Sequence, residues 1–499
     1  MDDLIVKTKY GLVKGFVKDG IRCWLGIPYA KPPLGELRFR RSVQCDPWDD
    51  IKECTQYGGS PPQFLLSSLF GKSTDTEDCL NLNIWRENSN KNKLPVHVWI
   101  HGGYLHGRAI NDPYYNGDCF AKDGVLFVSI SYRLGPLGCY DFSIYNKEAF
   151  DSNCTLSDDI LALKWINENI EAFGGDPNNI TINGQSSGGA SVLALMACPS
   201  AKGLFQKVIC QSGFPDGNHS RRSNKLLMDL FLEYLKITPE EVEKIRDLDI
   251  KTLQLATDYV FNNLSRYPGI FWPGFVYDDL LPEDCYTSLK NGSADGIKLI
   301  IGTCKNESTF FRECPKNIEE IKKMLENNHM SDKFEALEDF YYQQKKGGDA
   351  TPPLNFGKDY LILLGSIEVA DILSQNKQDV WMYRYDFMPP LLKLMGMKAA
   401  HGLDIQGIIN KRHILDELLW LFAKPSSKKM IYNYMHNSWI NFVKTGNPNG
   451  EHLKTNWEKY EIKKRKTLIF DRETSLKENL EKDSLDFWKG VMKTHSFYR

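Results

Sequence analysis

Ile180-Thr181-Ile182-Asn183-Gly184-Gln185-Ser186-Ser187-Gly188-Gly189-Ala190-Ser191-Val192-Leu193-Ala194-Leu195-Met196-Ala197 changes character at its serine pair. Before Ser186, a short apolar run reads as a strand. After it, a run of alanine, leucine and methionine reads as a helix. Between them stands G-x-S-x-G, from Gly184 to Gly188. A strand that turns sharply into a helix needs glycine where the two backbones approach. It holds the central serine strained, with its hydroxyl exposed. Ser186 is therefore a candidate nucleophile, and the bland alternative is an ordinary strand-to-helix turn. Gly189 keeps the first helical turn small.

Outward from this stretch the pattern is strand, helix, strand. Ser157-Asp158-Asp159 reads as a helix start, and Ile160, Leu161, Leu163, Ile166 and Ile170 follow helical spacing. Gly174-Gly175-Asp176-Pro177 ends that helix. Residues 94–100 and 125–131 are apolar, of strand length, and show little polar alternation, as for strands covered on both faces. The result is a βαβ unit in a parallel sheet, an α/β fold. Residues up to about 45 read as hairpins, around Leu4-Ile5-Val6 and residues 11–16, before the turn-rich Pro32-Pro33-Leu34-Gly35. Helical patterns dominate from about 220 to 400 and predict a helical subdomain or lid on a single 1–499 domain. The tail from Ser475 reads as a charged amphipathic helix around Leu485, Phe487 and Trp488.

The strand ending at Ile100 runs into His101-Gly102-Gly103-Tyr104-Leu105-His106-Gly107. Acyl transfer builds negative charge on a carbonyl oxygen, and backbone N–H groups aimed at it stabilise that charge. The candidate donors are the N–H groups of Gly103 and Tyr104, with that of Ser187 after the nucleophile. His97 and His101 share a strand face and could hold a metal. No carboxylate or thiol stands at a suitable spacing, so no metal is expected.

Composition excludes several classes. The chain has 499 residues, 42% hydrophobic and 25% charged, with a net charge of −2. That is ordinary globular composition, with no pull toward nucleic acid or an acidic membrane. Lys463-Lys464-Arg465-Lys466 reads as a solvated turn, with a nuclear localisation patch as the alternative. No apolar run approaches a membrane span. The N-terminus lacks the pattern of a signal peptide. Twelve cysteines form no C-x-x-C pair and read as buried free thiols. These features predict a cytoplasmic chain.

Longer segments then resemble a known family. Gly26-Ile27-Pro28-Tyr29-Ala30 with Leu37-Arg38-Phe39, residues 77–85, Ser131-Tyr132-Arg133-Leu134-Gly135, Phe173-Gly174-Gly175-Asp176-Pro177 and residues 439–449 are similar to segments of the type-B carboxylesterase/cholinesterase family. The resemblance covers nearly the whole chain. It implies an α/β-hydrolase fold, with a large, mostly parallel mixed sheet flanked by helices. It also implies hydrolysis of small to medium hydrophobic carboxylic esters through an acyl-enzyme, without cofactor, in detoxification or in the turnover of lipid or hormone esters. The segment ending at Glu307 points to the acid, and the segment opening at His401 points to the base. Spacing alone does not select His401 from ten histidines. Gln185 and Ser212 are implied to lie beside the triad. Asn306-Glu307-Ser308 is also a glycosylation sequon, and a glycan there would not fit.

The chain departs from the family in places. Tyr104 stands where the third loop glycine is usual. A tyrosine avoids positive φ, so a misaimed donor or a narrowed pocket is expected. Gln185 replaces glutamate, and Ser187 replaces alanine. Pro61 occupies the place of the usual partner of Cys79, and Cys54 is displaced from it, so that disulfide is not expected. Leu69 and Phe70 stand near the choline-binding aromatic position, which argues against acetylcholine. The family also includes binding proteins that have lost a triad residue. The alternative reading is thus a slow or non-catalytic ligand-sequestering protein.

Overall fold

Ser186 sits at the C-terminal edge of a long central strand, and the fold is best described from that strand outward. The computed structural model describes residues 3–64, 75–311, 314–395, 398–409 and 425–498. Among these an eleven-stranded sheet runs in the order Ser475–Lys477, Thr467–Phe470, Val380–Tyr385, Lys298–Cys304, Lys207–Gln211, Gly175–Gln185, Leu94–Ile100, Leu126–Ile130, Asn81–Glu87, Ile21–Pro28 and Phe16–Lys18. The seven strands from Thr467–Phe470 to Leu126–Ile130 are parallel. Those beyond them at both edges join antiparallel. A small second sheet contains Ile5–Lys7, Leu12–Lys14 and Lys52–Glu53.

Burial on both faces explains the missing polar alternation. Val96, Val98, Ile100, Ile180, Ile182, Val208 and Ile301 face one core, shared with Leu163 and Ile166 of the helix Cys154–Asn169. Trp99, Phe127, Ile209, Ile300 and Trp381 face a second core with Met435, Trp439, Phe442 and Val443 of the helix Pro425–Thr445. Successive strand side chains alternate between the cores, as a pleated strand requires. The first core runs without interruption from Val6 to Tyr498.

Several local expectations need correction. The helix Cys154–Asn169 begins three residues before Ser157, after Asn153 at φ 54°. The polar residues that resembled a cap serve the tertiary fold instead. The Asp158 carboxylate accepts from Arg133 Nε at 2.9 Å, Arg133 Nη2 at 2.6 Å and the Arg133 backbone N–H at 3.0 Å. The Ser157 hydroxyl meets that of Ser42 at 3.0 Å. Removing Arg133 would leave a buried, uncompensated carboxylate, at a cost of about 3–5 kcal/mol. The tail from Ser475 starts as an edge strand, Ser475–Lys477, because it pairs with Thr467–Phe470. Its helix covers Lys482–Phe487 and continues as a π-helical turn over Trp488–Met492, and Leu485, Phe487 and Trp488 are buried. The basic run is not simply solvated, since Arg465 pairs with Asp371 at 2.9 Å and Lys466 pairs with Glu458.

The 220–400 range holds helices such as Arg221–Leu235, Ile250–Asn263, Ile318–Asn327 and Leu364–Gln375. It also supplies two strands of the main sheet, Lys298–Cys304 and Val380–Tyr385. None of the twelve cysteines is in a disulfide, and all but Cys119 are buried. Burial pushes the Cys54 thiol up to about 12. Leu69 and Phe70 lie outside the described residues. Among the described residues no helix is long and apolar enough to cross a membrane.

Candidate active site

The strand Gly175–Gln185 passes through Ser186 directly into the helix Ser187–Ala197. Ser186 adopts φ 60° and ψ −126°. Such a conformation costs on the order of 1–3 kcal/mol and persists only when its surroundings fix it. The glycines show what fixes it. A Cβ on Gly184 would lie 2.0 Å from the Gly188 carbonyl oxygen, and one on Gly188 would lie 2.2 Å from that of Ile100. Strand and helix are packed too closely for any side chain at either position. The Ser186 backbone N–H donates to the Gln211 carbonyl of the neighbouring strand at 2.9 Å, which ties the turn to the sheet.

The loop after Ile100 lies against this turn. A Cβ on Gly102 would stand 3.0 Å from Ser186 Cβ. Gly103 has φ 121°, and its carbonyl accepts from the N–H groups of His106 and Gly107, both at 2.9 Å. Tyr104 corrects the sequence expectation, for it takes φ 62°, the left-handed conformation a glycine would have supplied. Its ring offsets the strain by packing on Trp272 at 4.4 Å, Phe311 at 5.9 Å and Phe261 at 6.3 Å between centroids. Ser187 does more than follow the nucleophile. Its hydroxyl accepts the Leu105 backbone N–H at 3.1 Å and so ties the loop to the helix. His97 and His101 engage other partners. His97 Nε2 lies 3.1 Å from Asn183 Oδ1, and His101 Nδ1 lies 2.8 Å from the Gly102 carbonyl oxygen. Burial lowers their pKa values to about 3 and about 4, so both rings are neutral.

Glu307 and His401 come from segments far apart in the chain and meet beside the turn. Asn306 and Ala400 form a parallel bridge, which aligns the two segments. Glu307 Oε2 lies 2.6 Å from His401 Nδ1. Its other oxygen accepts from Ser212 Oγ at 2.6 Å and from the Cys304 N–H. Glu307 is fully buried, and protein groups reach both of its oxygens. With Nδ1–H donated to Glu307, His401 Nε2 is an acceptor. It lies 3.2 Å from Gln185 Nε2. The amide of Gln185, the residue before Ser186, therefore approaches the acceptor nitrogen of the ring. Asn306 is buried and donates to Asp349 at 3.3 Å, which leaves no room for a glycan on its amide.

Sequence reasoning missed two groups around this centre. One is aromatic. Phe311 packs edge-on against the His401 ring at 4.8 Å, and Phe214 stands 5.9 Å from it. Trp272 stacks on Phe311 at 6.1 Å and meets Phe214 at 4.9 Å. The other is a buried polar chain. Asn183 donates to Gln211 at 3.0 Å, Gln211 donates to Asp404 at 2.9 Å, and Tyr383 donates to Asp404 at 2.7 Å. Burial raises the Asp404 pKa, and Glu307 adds to that rise. Asp404 lies three residues after His401, and its two donors fix the segment carrying that histidine. The only sequence signal for either group was its nearness to a recognised segment.

Known proteins share this arrangement of chain. The carboxylesterase family model matches residues 2–488. The para-nitrobenzyl esterase of Bacillus subtilis (strain 168) is 34% identical over 493 residues, covering 97% of this chain and 98% of that one. The cholinesterase of Mus musculus is 28% identical, covering 98% of this chain and 87% of that one. A crystal structure of a Geobacillus stearothermophilus carboxylesterase is similar with a TM-score of 0.84 at 30% identity, covering 97% of this chain and 100% of that one. The likeness is stronger to the bacterial esterases than to the cholinesterase, and it extends through both halves of the sheet. On these grounds the chain belongs to the carboxylesterase family and is a carboxylic ester hydrolase.

Proposed function

We propose that Ser186 is the nucleophile, His401 the general base and Glu307 the acid that orients it. The observation that carries this reading is the 2.6 Å contact between His401 Nδ1 and the buried Glu307, beside a serine at φ 60°. Ser186 Oγ attacks the ester carbonyl while His401 Nε2 takes its proton. The N–H groups of Gly103, Tyr104 and Ser187 hold the oxyanion. The tetrahedral intermediate collapses, His401 protonates the departing alcohol, and Ser186 is left acylated. Water then repeats the sequence and releases the acid. Glu307 keeps the ring in the tautomer with Nδ1–H and stabilises the imidazolium. Substrates are small to medium hydrophobic esters, a reading supported by the aromatic rings of Tyr104, Phe214, Trp272 and Phe311. The buried Asn306 and the free thiols support a cytoplasmic protein.

The test is reaction with a fluorophosphonate probe, followed by mass mapping of the labelled peptide and assay of Ser186→Ala on p-nitrophenyl acetate. Labelling at Ser186, with at least about a 10³-fold loss in the variant, is the expected result. Undiminished hydrolysis by Ser186→Ala would reject the assignment. A folded but unlabelled wild type would instead favour a ligand-sequestering role.

A further inference from the structure

One short loop carries three contacts at alternate positions. Ser212 Oγ donates to Glu307 at 2.6 Å. The Phe214 ring stands 5.9 Å from that of His401. The Asp216 side chain, only 1% exposed, accepts from Tyr286 Oη at 2.6 Å, from His495 Nδ1 at 2.8 Å and from Ser496 Oγ. The last two donors belong to the C-terminal tail. His495 Nε2 in turn lies 2.9 Å from Glu368. Both ring nitrogens face carboxylates, which calls for the doubly protonated ring. Farther along, the tail is pinned independently. Tyr498 Oη donates to the Pro268 carbonyl at 2.8 Å, and the Tyr498 N–H donates to Asn328 at 2.6 Å.

We infer that His495, with Ser496, is a positioning residue for ester hydrolysis: it holds Asp216 and so fixes the loop that sets Ser212 on Glu307 and Phe214 against His401. This rests on the roles proposed above for Glu307 and His401.

The charge on His495 supplies a readout. Burial opposes that charge, but Asp216 and Glu368 outweigh it and raise the pKa to about 9. Tyr286 also packs on the ring, at 5.7 Å. The other charged groups nearby are Lys290, 3.8 Å from Glu368, and Asp284, Lys489 and Lys493, which line the same cavity of about 330 Å³. A pKa raised above the ordinary histidine value gives a grip that is complete below about pH 6.5. The grip is lost as pH rises through about 9.

The experiment measures kcat and KM for p-nitrophenyl acetate from about pH 6 to about pH 10, corrected for spontaneous hydrolysis. Wild type is expected to lose kcat with a midpoint near 9, at nearly constant KM. His495→Gln should remove that limb and lower kcat about three- to tenfold near neutral pH. His495→Lys, which stays charged to higher pH, should move the midpoint upward. Tyr498→Phe should lower thermal stability and leave the limb in place. If His495→Gln does not fold, Ser496→Ala and His495→Lys carry the test. A wild-type profile flat to about pH 10, or a limb that no tail variant moves, overturns the inference. Fluorophosphonate labelling separates the two readings: a labelled Ser186 with an unmoved limb rejects only the role of His495, and an unlabelled Ser186 rejects the site itself.

Discussion

Ser186 and Tyr104 both hold positive φ, at 60° and 62°, yet their surroundings offset that strain in different ways. A positive φ costs a non-glycine residue on the order of 1–3 kcal/mol. At Ser186 the compensation is local. Gly184 and Gly188 let a strand and a helix approach within a single contiguous stretch, and that stretch fixes the serine. At Tyr104 the compensation is remote. Its ring packs on Phe261, Trp272 and Phe311, from segments more than 150 residues away. One half of the site is written in its own neighbourhood, and the other is assembled across the fold.

The largest test falls on the assembled half. Glu307→Gln keeps the shape but offers an amide to Nδ1 and removes the charge that stabilises the imidazolium. A fall in kcat of about 10³–10⁴ is expected, with KM within a few-fold. A loss below about tenfold would mean that the 2.6 Å contact does not govern the base. The local half breaks differently. Gly188→Ala would put a Cβ 2.2 Å from the Ile100 carbonyl oxygen, where no flexible side chain can give way. Urea denaturation should show a loss of about 3 kcal/mol, with fluorophosphonate labelling lost alongside. Unchanged stability would show that strand and helix can separate here without cost.

The same division explains what could be read from the chain. The central strands, the turn at Ser186 and the loop at residues 101–107 are short-range patterns, and the structure has them in the expected places. Glu307 and His401 carry no local pattern, so their positions came only from resemblance to a family. Phe214 and Phe311 gave only their nearness to recognised segments and Trp272 gave no signal, because an aromatic residue beside a site has the same spacing as one that fills a core. Ser157 and Asp158 misled for a related reason. Their polarity suited a helix cap, but it serves Ser42 and Arg133 in distant segments. Ser475–Lys477 looked helical until its edge pairing with Thr467–Phe470 decided otherwise.

A smaller effect sharpens the comparison at Tyr104. Tyr104→Gly removes both the strained side chain and a ring 4.4 Å from Trp272. The two changes oppose each other in stability, so thermal unfolding should move little. Substrate preference should move more. Hydrolysis of p-nitrophenyl pivalate, relative to acetate, is expected to rise about tenfold as the ring's space opens. An unchanged ratio would mean that the ring packs beside the acyl group without limiting it.

Ser187 joins the two halves, and it gives the smallest single effect and the most informative pair. Its hydroxyl accepts the Leu105 N–H at 3.1 Å, one residue beyond the strained Tyr104. Where a glycine occupies the Tyr104 position, the tether has less strain to hold, since only Leu105, at φ 59°, then keeps a side chain in the turn. Where tyrosine occupies it, the tether and the ring packing hold the same turn together. Ser187→Ala alone should therefore lower kcat about three- to tenfold, because a buried N–H loses its partner and the adjacent donors lose their anchor. In a Tyr104→Gly background the same change should cost less, since glycine relieves its own part of the strain and leaves the tether only the Leu105 N–H and its φ of 59° to hold. Residues in contact through one loop couple in this way, whereas independent ones add. Equal losses in both backgrounds would show that hydroxyl and ring act separately, and that the strain at Tyr104 is borne by its aromatic neighbours alone.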